Sequence, residues 1–124
     1  MSTEEKTKLA ISWVESNPFA DASSESWRKI DRNVHTCLSD SAVGLQVIKL
    51  IWGLLSKSDD LSGLGVLVED YLSIHGEAVI AEIEEMAIKE ANFKNVLQYV
   101  YRNTMPESVY NKVRLAVAGS VEDA

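Results

Sequence analysis

The chain has 124 residues, 46% of them hydrophobic, enough to close one core and too few for separate catalytic and regulatory domains. A formal charge of -7 opposes a non-specific grip on a phosphate backbone, which needs clustered Lys and Arg, so no nucleic acid is expected and a basic protein surface is the favoured partner. Cys37 stands alone, which excludes an intramolecular disulfide and a thiolate metal cluster and points to a reducing, cytoplasmic setting.

The N-terminal stretch carries Glu4, Glu5 and Glu15 where a signal peptide needs an unbroken apolar run. Thr3, followed by Glu4 and Glu5, opens a first helix with Leu9, Ala10, Trp13 and Val14 facing inward, and Asn17 and Pro18 stop it. Residues 19–24 form a connection in which Ser23 or Ser24 caps the next helix. That second helix presents Trp27, Ile30, Val34, Cys37 and Leu38 as one apolar stripe.

Asp40 or Ser39 caps a third helix with Val43, Val47, Leu50, Ile51, Leu54 and Leu55, widened by Ala42, Ile48 and Trp52 into a face that implies packing on more than one side. Ser56, Ser58, Asp59 and Asp60 break the chain before a fourth helix bearing Leu61, Leu64, Val68, Tyr71, Leu72 and His75, with Gly76 as the glycine beyond its end. Glu77 begins a fifth amphipathic run in which Val79, Ile80, Ile83, Met86, Ala87 and Ile88 are apolar. A short helix around Phe93, Val96, Leu97, Val100 and Tyr101 follows a bend near Asn92. Pro106 and Glu107 launch a last helix with Val109, Tyr110, Val113 and Val117.

Six or seven short helices with tight links define an all-α fold, either HEAT-like stacked hairpins or a compact irregular bundle. Residues 1–118 read as a single domain and residues 119–124 as a frayed tail. No apolar run approaches the ~20 residues that span a bilayer, so no membrane association is expected.

From Leu64 to Arg114 the text LGVLVEDYLSIHGEAVIAEIEEMAIKEANFKNVLQYVYRNTMPESVYNKVR resembles the DUF6869 family. The shared features are a Gly- and Leu-rich helix with an acidic residue at Glu69, the His75-Gly76 pair, and an Ile- and Glu-rich helix. Later landmarks fall at Phe93, Leu97, Pro106, Tyr110 and Arg114, and Trp13 and Trp27 are similar to looser N-terminal aromatic positions. The family's function is not established. The resemblance implies a bacterial protein and, by analogy with other small acidic bacterial proteins, an immunity protein for a secreted toxin.

Glu69, His75 and Arg114 are the polar positions that stand out, as functional or structural groups. Glu69 interrupts an apolar run, and a carboxylate placed there needs a donor such as Arg102, Arg114 or a tryptophan indole. His75 ends the stripe, where its ring favours the negative end of the helix dipole. The two lie six residues apart, so one helix does not build a dyad from them, and a small enzyme using Glu69 and His75 is the remotest reading.

Gly63 and Gly65 are no phosphate cradle, since neither a strand nor a basic residue flanks them; they admit a close neighbour. His35 and Cys37 are two apart and point away from each other, so neither a metal nor a cofactor is expected. The acidic run supplies the binding candidates: Glu77, Glu82 and Glu85, with Asp59 and Asp60 before them. Two functions compete, a non-catalytic domain that binds a basic protein through this surface and a scaffold that self-associates, as a homodimer, through the wide third helix.

Overall fold

A Ser-x-x-Glu pattern sets the start of the first helix. Ser2 Oγ accepts from the Glu5 amide at 3.1 Å and the Ser2 amide donates to Glu5 Oε1 at 2.9 Å, a reciprocal capping box, so the cap is Ser2 and not Thr3. These bonds from Ser2 hold the Glu5 carboxyl below its ordinary pKa. The computed structural model describes residues 1–16, 25–56 and 59–118. The expected stop at Asn17–Pro18, the connection at 19–24 with its Ser23 or Ser24 cap, Ser58 and the tail at 119–124 lie outside the described residues.

Among the described residues the chain is all-α: seven α-helices and no strand. They are α1 (Thr3–Ser16), α2 (Glu25–Cys37), α3 (Ser41–Leu54), α4 (Ser62–His75), α5 (Ile80–Lys89), α6 (Lys94–Leu97) and α7 (Glu107–Ala118), with single 3-10 turns at Gly76–Ala78 and Ala91–Phe93. The chain divides into two compact units, Met1–Leu64 and Gly65–Ala124.

In the first unit α1 packs against both α2 and α3. Its buried face is Lys6, Ala10 and Trp13, at spacings of four and three, while the expected Leu9 and Val14 are only half-buried. Lys6 is 9% exposed, and its ammonium donates to Gln46 Oε1 on α3 while the stem packs as hydrocarbon. The Trp13 indole donates to Asp31 Oδ1 at 3.0 Å, and Asp31 Oδ2 lies 3.4 Å from His35 Nε2 one turn along α2. Trp27 is half-buried with its ring 5.6 Å from that of Trp13, so it covers the core without lying in it. Asp40 caps α3, accepting from the amides of Ala42 and Val43. The buried face of α3 is Gly44, Val47, Ile48 and Ile51; Ala42 and Leu54 are exposed, so the helix is narrower than its composition implies.

In the second unit α7 packs against α5 and α6. Tyr71, Leu72, Ile83, Phe93, Val96, Leu97, Met105, Val109 and Val113 form its buried interior. Gly76 is buried with φ +49°, a left-handed conformation that favours glycine, and a Cβ placed there would meet the Pro106 ring at 3.5 Å and Val109 at 3.8 Å, ordinary contact distances. The Pro106 carbonyl accepts from the amides of Val109 and Tyr110, closing the first turn of α7. Gly65 admits a close neighbour, as expected: a Cβ there would stand 2.5 Å from Tyr99 Cβ and 3.0 Å from the Val96 carbonyl. Ile88 and Tyr101, expected on apolar stripes, are exposed at 82% and 67%.

Replacing Leu97 by Ala is expected to cost about 2–5 kcal/mol in urea denaturation, and Trp27→Ala about half as much because its ring is only half-buried. Equal losses would show Trp27 to be core. Gly65→Ala is expected to destabilise by about 1–3 kcal/mol through overpacking against Tyr99 and Val96. Gly53→Ala, where a Cβ on α3 meets nothing within 4 Å, is expected to stabilise by about 0.5–1 kcal/mol. The same sign for both would refute the close approach at Gly65.

Candidate functional site

Glu69 lies one turn after Gly65 on α4 and is half-buried. Its Oε1 accepts from the backbone amide of Tyr101 at 2.8 Å and its Oε2 from the Asn103 side chain at 3.1 Å. The expected donors are engaged elsewhere: Arg102 Nε donates to the Met105 carbonyl at 3.3 Å, Arg114 lies over the Tyr110 ring, and the Trp13 indole bonds Asp31. Asn103 adopts φ +50°, a left-handed conformation that Asn tolerates better than most residues, and its side-chain amide reaches across to Glu69. The carboxylate thus fixes the bend between α6 and α7 through a main-chain group and a side chain together.

His75 closes α4, half-buried, with its ring 5.1 Å from that of Tyr71 at a tilt of 60°. Glu69 is turned to the 101–103 bend and His75 to the Tyr71 ring. Glu77 accepts from Ser108 Oγ at 2.7 Å, tying the turn after α4 to the start of α7. Asp59 and Asp60 belong to the first unit and organise its final turn. Asp59 Oδ2 accepts from the Ser56 amide, and Asp60 Oδ1 accepts from the amide and hydroxyl of Ser62. The Ser62 hydroxyl first, then its amide, holds the Asp60 carboxyl below its ordinary pKa. Burial raises the pKa of the Cys37 thiol, which disfavours the reactive thiolate.

Glu82 and Glu85 remain on the outer face of α5. Glu85 pairs with Lys89 at 2.7 Å, and this hydrogen bond, with the charges of Glu85 and Glu82, raises the ammonium's pKa. Beside them stands Ile88, exposed, with half-buried Glu84 on its other flank. Ile88 was a signal within reach of the sequence: it falls five residues past Ile83 and two past Met86, which at 3.6 residues per turn puts it opposite the buried arc. Among the described residues no group of three His, Cys, Asp or Glu is placed to hold a metal ion, and no helix is long and apolar enough to cross a membrane.

Glu69→Ala is expected to cost about 0.5–1.5 kcal/mol by removing the acceptor of the Tyr101 amide, and to speed hydrogen exchange at that amide ahead of the α4 amides. Unchanged exchange at Tyr101 would show that another group holds the bend.

No curated protein and no solved structure matches the chain. A family match begins within α3, takes in α4 to α7 and leaves Trp13 and Trp27 outside it. That match, to a family of unknown function (DUF6869), runs over residues 45–121, more than half of the chain, and the protein belongs to this family.

Proposed function

We propose that this protein is a non-catalytic binding domain that docks a basic protein partner on the outer face of α5. The observation that carries this reading is Ile88, 82% exposed beside Glu82 and Glu85. An apolar side chain rimmed by carboxylates offers a partner a contact that excludes water and charges that select Arg or Lys around it. Glu82 makes neither a hydrogen bond nor an ion pair among the described residues, so its charge is available to a partner. An immunity or inhibitor protein is one form of such a domain, acting by stoichiometric occupancy in a reducing, cytoplasmic compartment that suits the buried Cys37.

The test is capture of partners by the tagged protein from lysate of its own organism, in parallel with Ile88→Asp and Glu82→Lys/Glu85→Lys variants, followed by calorimetry with the partner identified. The reading expects a stoichiometric partner whose affinity drops at least tenfold in both variants while their melting temperatures stay within a few degrees. Undiminished binding in both would remove α5 as the surface. A partner-free preparation that dimerises in light scattering would favour self-association.

A further inference from the structure

The second unit carries an open groove between the α6 end and α7, with a volume of about 340 Å³, at the lower end of the ~300–1,000 Å³ of small-molecule sites. Its lining is mostly apolar, Leu97 and Val100 on one side and Val113, Val117 and Ala118 on the other, with Gln98, Tyr110 and Arg114 as its polar members. The guanidinium of Arg114 lies 6.0 Å from the centroid of the Tyr110 ring, one turn back along α7.

This arginine makes no ion pair with a carboxylate among the described residues, although the chain has a net charge of -7. The positions three and four residues from it, Tyr110, Asn111, Val117 and Ala118, hold no acidic group either. A cation held by an aromatic ring beside an apolar groove is complementary to a ligand with an apolar body and one negative group. Orientation follows from the helix. The carbonyl end of α7 near Val117 and Ala118 repels negative charge, so the anionic group belongs at Arg114 and the apolar body runs toward Val117.

We propose that this groove binds a small apolar organic anion, an alkyl or aryl carboxylate or sulfonate, with its charged group on Arg114. The site is independent of the α5 surface.

The full chain would be titrated with 8-anilinonaphthalene-1-sulfonate, monitored by fluorescence, and with its uncharged analogue N-phenyl-1-naphthylamine. Saturable one-site sulfonate binding is expected, weakened about three- to tenfold by Arg114→Gln, with the uncharged analogue unaffected by that change. Methyl NMR shifts should centre on Val100, Val113 and Val117. Displacement by octanoate or by 3-phenylpropionate would support the site and assign its alkyl or aryl preference. Equal sulfonate affinity in wild type and Arg114→Gln, shifts centred elsewhere, or displacement by neither carboxylate would overturn it. Matching melting temperatures for wild type and variant keep a folding defect separate from a binding loss.

Discussion

Gly65 and Glu69 stand one turn apart on α4 and face the same piece of chain, Val96 to Asn103. The glycine removes the atoms that would hold this segment away, and the glutamate supplies the acceptor for the Tyr101 amide beyond the end of α6. Neither suffices alone. Close approach without an acceptor would leave the Tyr101 N–H to water and the bend untied, and an acceptor without the glycine would be kept from its donor by a side chain pressed on Tyr99. At the other end of α4 the glycine acts through its backbone instead: Gly76 turns the chain at φ +49° beside Pro106 and Val109, and Glu77 accepts from Ser108.

The path from α6 into α7 is therefore set by α4 at both ends. Between these anchors Met105 is buried, and the Arg102 side chain and carbonyl bond the Met105 carbonyl and amide, respectively. Tyr101 is exposed from a backbone whose own amide is held, so its ring is presented on a fixed support. The groove beside Arg114 has the same origin: Leu97 and Val100 lie on the segment gripped by Gly65 and Glu69, and Val113 and Val117 lie on the helix launched beside Gly76. Its width is thus a consequence of α4 packing rather than of the side chains that line it.

The helices and most of their buried faces were legible because burial at 3.6-residue spacing leaves a mark in residue type. Gly76 announced itself by following an apolar stripe, Pro106 by preceding one, and Asp40 as a cap. Glu69 announced itself as a carboxylate in an apolar run that needed a partner. The partner was illegible for a physical reason: every residue but proline has a main-chain amide, so composition cannot single out that of Tyr101. Lys6 was hidden by the opposite effect, since a long stem lets a charged residue occupy an inward position that a hydropathy pattern assigns to Leu9 or Val14. Ile88 and Tyr101 were misplaced because apolar type was taken as burial, whereas apolar atoms contribute much of any folded surface.

The acidic composition has two separable origins. Glu5, Asp31, Asp40, Asp59, Asp60, Glu69 and Glu77 accept hydrogen bonds from indole, hydroxyl, side-chain amide or backbone N–H groups, as caps, turn-formers and cross-links. A ligand seeking these oxygens would have to displace donors already at normal hydrogen-bond distance, so much of the charge that makes the chain acidic is committed to its own fold. The outer face of α5 is different in kind. Glu82 makes no such cross-link among the described residues, and an ion pair as exposed as Glu85 with Lys89 adds little to stability. On the proposed α5 surface, covering Ile88 would exclude water from the neighbouring carboxylates, lower the local dielectric and strengthen their pairing with a partner's cations. The apolar side chain and the charges are thus one device: either alone, at an exposed helix face, binds weakly.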